Sequence, residues 1–162
     1  QFNIARKVTG HELPPVYVYA LETSLQLTLT ELNESLREVY LEAYRQPQSA
    51  DYIYRHTASE LYQIFGSYLP SYSECDFYEQ DIGSGGIMRA YMERPCDLYF
   101  TLEKKLSRFL TMSMRAYCVP PDEQQQVLAF IETLDIRGIS ERVMQELFRK
   151  LEMQFSFSLG TS

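Results

Sequence analysis

Residues 21–45 read LETSLQLTLTELNESLREVYLEAYR, and the steps between apolar positions decide the fold class. Leu21, Leu25, Leu29, Leu32, Leu36, Val39 and Ala43 recur at threes and fours, so on a helix of 3.6 residues per turn they form one stripe. Glu31, Glu34, Glu38 and Glu42, interrupted by Arg37, fall on the other side as a solvated acidic ridge. The spacing predicts one long helix that begins after Pro14-Pro15 and ends before Pro47. An Asn33-Glu34-Ser35 glycosylation triplet lies inside this stretch and carries no weight there.

Working outward, a second helix is expected from Ser49 or Asp51, through Ile53, Thr57, Leu61, Ile64 and Phe65, to Gly66 and Pro70. The stretch SYSECDFYEQDIGSGG, at 71–86, is acidic and rich in turn residues, so a long loop is predicted over 70–86. A short helical piece at 87–93 leads to a helix over 95–117, with Pro95 suited to its first turn and Leu98, Leu102, Leu106, Phe109, Leu110, Ser113 and Tyr117 on its inner face. Two more helices follow, over 122–134 and, capped by Ser140 after a break at Gly138, over 140–154.

Both ends of the chain depart from helical spacing. Val16, Tyr17, Val18 and Tyr19 are β-branched or aromatic, and Phe155, Phe157 and Leu159 alternate with Ser156 and Ser158. Paired, the two would make a short β-ribbon backed by helices. The expected fold is therefore predominantly all-α: one domain over 1–162, an irregular bundle of five to six helices with a long acidic loop and this ribbon. Prolines at 47, 70, 95 and 120 are evenly spaced, but the residues between them do not match, so they punctuate helices without marking a repeat.

Composition narrows the function. The net charge is −7, and its source is local: residues 1–81 carry 5 basic and 12 acidic side chains, residues 82–162 carry 10 of each. Overall charge therefore opposes binding to nucleic acid or to an anionic membrane. No run approaches the roughly 20 apolar residues of a membrane helix. Cys75, Cys96 and Cys118 are odd in number and far apart, which favours a reducing, intracellular setting, cytoplasmic or nuclear. The chain begins with Gln1, as expected of a processed product or a piece of a longer protein.

Chemistry-bearing motifs are incomplete. Gly83-Ser84-Gly85-Gly86 resembles a phosphate-cradling loop but lacks a Gly-Lys-Ser/Thr ending, and Asp76, Glu79 and Asp81 stand just upstream, so a hinge is expected. Neither His11 nor His56 follows a Glu by three residues, so the paired ligands of a di-iron bundle are missing and no metal or cofactor is expected. Cys96, Asp97 and His56 form the sole nucleophile–base trio on offer, and a small core cysteine explains Cys96 more simply, so no enzymatic activity is expected.

Tyrosine is the unusual quantity, with thirteen against nine Phe and no Trp. Tyrosine suits surfaces that are wet alone and covered in a complex, because a large ring carries a polar tip. Tyr40 and Tyr44 on the first helix face Tyr52 and Tyr54 across the Pro47 turn, and with Phe155, Phe157 and Leu159 they form the expected partner-binding surface. The leading expectation is a protein-interaction domain, a scaffold or adaptor in a larger complex, binding a partner's peptide or helix or a second copy of itself, with the acidic first half steering a basic partner. The alternative is a nucleic-acid face built from Lys104, Lys105, Arg108, Arg115, Arg142, Arg149 and Lys150, with Tyr91, Tyr99 or Tyr117 for stacking, although Glu103, Glu132, Glu141, Glu146 and Glu152 are interleaved. A secreted cytokine-like bundle is the third, and three free thiols in the unfolded chain would speak against it.

Overall fold

The structure, a computed structural model, describes residues 7–159, with side chains described from 7 to 152. Helical residues 7–9 precede seven longer helices: α1 Pro15–Leu32, α2 Glu34–Arg45, α3 Pro47–Phe65, α4 Glu74–Glu93, α5 Leu102–Ala116, α6 Pro121–Glu132 and α7 Ile136–Leu159. Among the described residues there is no strand, so the all-α class holds while the count of five to six helices and the ribbon do not.

α1 is the axle of the bundle, packing against each of the other six helices. Its sequence explains why it can be enclosed. Val16, Ala20, Leu21, Leu25 and Leu27 are buried, and the hydroxyls of the buried Thr28 and Thr30 donate to the carbonyls of Ser24, Gln26 and Leu27 of the same helix. Each thus meets its hydrogen-bonding need without water. Val16 and Tyr17 to Tyr19 form the first turns of this helix, entered through Pro15. The period-two pattern over four residues misled because a helix buried nearly all round has no polar face to interrupt it. Residues 155–159 are likewise helical, within α7.

The predicted single helix over 21–45 is two. Asn33 leaves the helical region (φ −140°, ψ 110°), its side chain accepts the Leu36 N–H at 3.0 Å, and its own N–H closes α1 on the Leu29 carbonyl. The predicted apolar stripe does not carry through this break: α2 packs on α1 with Arg37 and Leu41 as its buried positions, while Val39 is 65% exposed. Gln46 separates α2 from α3, and Pro47 takes the first position of α3, ahead of the expected caps Ser49 and Asp51.

The largest correction concerns the loop expected over 70–86. α4 begins at Glu74, with a reciprocal cap in which Ser73 N–H donates to the Asp76 carboxylate at 2.7 Å and Asp76 N–H to the Ser73 hydroxyl at 3.4 Å. It then runs unbroken through the GSGG sequence to Glu93. Phe77, Asp81, Ser84, Gly85, Met88 and Met92 are its buried positions. Their spacing is helical, but its middle is polar or small and so invisible to an apolar count. Gly85 is where α3 and α4 approach: a Cβ there would meet the Tyr54 ring at 3.2 Å. Gly83 has no such duty, being exposed with nothing within 4 Å of an added Cβ. Gly83→Ala is therefore expected to raise stability by about 0.5–1 kcal/mol in denaturant unfolding; a loss would show that the hinge reading was right.

Elsewhere the shifts are smaller. The 94–101 segment is not helical: the Asp97 carboxylate accepts the Tyr99 and Phe100 N–H groups, and Thr101 caps α5. Gly138 sits within the first turn of α7, where its N–H donates to the Asp135 carboxylate at 3.1 Å. The core is aromatic at its centre, with the Phe65 and Tyr117 rings stacked at 4.4 Å, Tyr19 edge-on to Phe65 at 5.0 Å and Phe77 parallel to Tyr117 at 6.1 Å. Part of the tyrosine surplus is therefore structural. The Tyr19 hydroxyl meets Ser113, and that of Tyr117 meets Ser84 at 2.6 Å.

Candidate functional site: an acidic, apolar-walled groove

A groove of about 540 Å³ opens between α1, α2 and α3, floored by α4 and bounded by Phe109 of α5 and Val143 of α7. That volume suits a small molecule or a few side chains of a partner. Leu25, Leu29, Ile53, Leu61, Ile64 and Met88 make the walls apolar, and Tyr19, Tyr40 and Tyr44 line it with rings. Three carboxylates enter from three helices: Glu22, Glu60 and Asp81. No Lys or Arg is among its described lining residues, and its one histidine, His56, stands 3.5 Å from the Glu60 carboxylate.

Asp81 is the group without an obvious structural purpose. It is 6% exposed, and burial pushes its carboxyl from the ordinary value up to about 6, against the opposing pull of the Ser84 hydrogen bond and the Arg89 charge. The Ser84 hydroxyl donates to Asp81 Oδ1 at 3.2 Å, which leaves the Tyr117 hydroxyl to donate to Ser84, since a serine has one proton to give. No described residue hydrogen-bonds Oδ2. The nearest cation, Arg89, is engaged elsewhere: it donates to the Tyr54 hydroxyl and lies over the Tyr44 ring at 4.8 Å and the Tyr54 ring at 5.8 Å. Glu22 is also pushed up, first by burial and then by the Glu60 charge. Burial raises Tyr40 and Tyr44 as well.

The tyrosines picked from sequence are divided by the fold. Tyr40 and Tyr44 line the groove. Tyr54 lies behind it, 6.0 Å from the Tyr44 ring and under the same arginine. Tyr52 is 71% exposed and stacks on His56, which places it beside the rim. Phe155, Phe157 and Leu159 belong to the α7 backbone, but their side chains lie outside the described residues. Beyond Val143, α7 carries Leu147, Phe148 and Leu151 at 43–45% exposure, and Val39 on the groove edge is 65% exposed. Apolar surface therefore continues from the groove along α7.

Of the basic residues considered for nucleic acid, Lys105 is 1% exposed, its ammonium donating to the Glu31 carboxylate at 2.8 Å and the Arg94 carbonyl at 2.5 Å. Lys104, Arg108 and Arg115 on α5 and Arg142, Arg149 and Lys150 on α7 are exposed. α5 packs on α4, α6 and α1 and α7 chiefly on α1, and Arg137 at the start of α7 pairs with Glu103 of α5 at 3.8 Å. Cys96 sits beside Glu31, to which its N–H donates at 2.8 Å, whereas His56 faces Glu60, so the sequence trio is not assembled. A broader depression along α2 is ion-paired surface, bridged by Arg45 to Glu42 and Glu93.

Sequence reasoning missed Asp81, Ser84, Glu22 and Glu60. The signal for the first two was present in the 77, 81, 84, 85, 88, 92 spacing of α4. Nothing in the sequence says that α1 and α3 bring Glu22 and Glu60 to the same opening. Among the described residues no cluster of His, Cys, Asp or Glu has the geometry of a metal site, and no helix is long and apolar enough to cross a membrane. Compared with protein-family models, with curated proteins and with solved structures, the chain finds no match in any of the three.

Proposed function

We propose that this domain is a protein-interaction module, a scaffold or adaptor that holds a peptide or helix of a partner in the groove between α1, α2 and α3. The observation that carries this reading is the combination of apolar walls, the half-buried Tyr40 and Tyr44 rings, and an open apolar stripe that extends the groove along α7. Such a surface binds by removing apolar area from water, with a polar rim to fix orientation. The nucleophile–base trio of Cys96, Asp97 and His56 is not part of this groove: His56 stands at the rim beside Glu60, and no cysteine is among the described lining residues. Three unpaired cysteines, two of them exposed, support a setting inside the cell, where thiols stay reduced.

The test is crosslinked affinity purification with the native domain and the Tyr40→Ala/Tyr44→Ala double variant. Truncating two central rings is expected to weaken capture of the copurifying partner at least tenfold, as for central aromatic residues of other interfaces, while the thermal transition stays cooperative. Equal capture by both forms would remove the groove from the proposal.

A further inference from the structure

We propose that the groove selects its partner by charge at the floor, taking an amphipathic helix that carries one lysine or arginine on its apolar face and seating that cation against Asp81. The proposal rests on the reading of the groove as a partner site and adds the chemistry of what enters it.

Charge complementarity comes first. Glu22, Glu60 and Asp81 arrive on α1, α3 and α4, with no described Lys or Arg in the lining. The groups that interact with Asp81 are Tyr19 from α1, Tyr44 from α2, Ser84 and Arg89 from α4, and Tyr117 after α5, while Glu22, His56 and Glu60 line the same groove. Among these only Arg89 carries a fixed positive charge, and its hydrogen bond goes to Tyr54 and its face to Tyr44.

The second observation is independent of the cluster. Asp81 is more than nine-tenths buried, yet Oδ2 has no hydrogen-bonding partner among the described residues and is not sealed from solvent. A carboxylate oxygen that water reaches at the floor of an apolar groove can exchange that water for a partner's charged donor. An ammonium or guanidinium with an alkyl stem fits, because the stem lies along Leu25, Leu61 and Met88 while the head reaches the floor.

A helix is favoured over a free small cation by the surroundings. A bare cation would leave the apolar walls wet. The stripe from Val143 through Leu147 to Leu151 extends the apolar surface by roughly 12 Å along α7 at about 1.5 Å per residue, enough to cover two further turns of a docked helix.

The experiment uses the full chain and three fluorescent synthetic 18-residue helices, identical except for Lys, Gln or Glu at the centre of a leucine face, read by anisotropy. The Lys helix is expected to bind at least tenfold more tightly than the Gln helix, and the Glu helix more weakly still. In Asp81→Asn the Lys advantage should collapse to within about twofold with the Gln helix unchanged. The advantage of the native domain should also fade as pH is lowered through about 6, and that fading should be absent from Asp81→Asn.

Should Asp81→Asn fail to fold, Glu22→Gln/Glu60→Gln is expected to reduce the advantage at least threefold. Equal binding of the Lys and Gln helices, or a Lys advantage that survives Asp81→Asn, overturns charge selection and leaves the groove reading standing. Binding of spermine without any helix overturns the helix as occupant. If no helix and no spermine binds, the groove reading fails as well.

Discussion

Lys105→Ala is expected to cost about 3–5 kcal/mol of folding stability, measured by urea unfolding at neutral pH. The residue is 1% exposed inside the α5 face that packs on the core. Its ammonium bonds the Glu31 carboxylate and the Arg94 carbonyl. The same carboxylate accepts Arg37 at 3.0 Å and the Cys96 N–H, and Arg37 reaches on to Glu34 at 2.9 Å. Removing the lysine empties a buried volume and leaves an acceptor and a carboxylate short of donors. Lys105→Met keeps most of the volume and should lose clearly less.

Acid titration provides a second readout. Burial alone would raise the Glu31 carboxyl, but hydrogen bonds from Lys105 and Cys96 and the charges of Lys105 and Arg37 hold it below its ordinary value. A depressed carboxyl contributes stability that is complete above the unfolded value and is lost as pH falls through the folded one. That acid-labile part should shrink in Lys105→Ala. A loss under about 1 kcal/mol would mean that the ammonium reaches water, the condition a nucleic-acid face would need.

Asp81→Asn is expected to act in the opposite direction, stabilising the domain at pH 7. The folded carboxyl stands near 6 against an ordinary 3.8, so between those values the folded state binds more protons than the unfolded chain and stability falls as pH rises. Roughly two units at about 1.4 kcal/mol each bound the gain at about 3 kcal/mol, and 1–2 kcal/mol is the realistic outcome once the amide's own burial is counted. The gain should vanish below about pH 4, where both states are protonated. Parallel thermal melts at pH 4 and pH 7 give the answer, and a variant less stable at pH 7 would reassign Asp81 to the framework. On the proposed reading of the groove, a buried charge that costs stability where a neutral amide would fit is kept for binding.

Much of this protein is legible before any coordinates. Spacing at threes and fours over 21–45 establishes a helical chain, because the period of burial is a local property of backbone geometry. Pro47, Pro120 and Pro121 mark helix boundaries for an equally local reason: the ring removes a donor and clashes with the preceding turn. The Leu102, Leu106, Phe109 and Leu110 face of α5 is buried as its spacing implies.

What the tertiary structure alone decided lies where local preference and long-range packing disagree. Gly83, Ser84, Gly85 and Gly86 are poor helix formers, yet α4 passes through them because Phe77, Met88 and Met92 bury on either side and Gly85 lets Tyr54 approach. Lys105 reads as surface until α1 brings Glu31 to it from 74 residues away. The groove is of the same kind. Its tyrosines and acids come from α1, α2, α3 and α4, and burial, which determines both what Asp81 costs and what it can attract, is a property of their assembly that no single stretch of sequence contains.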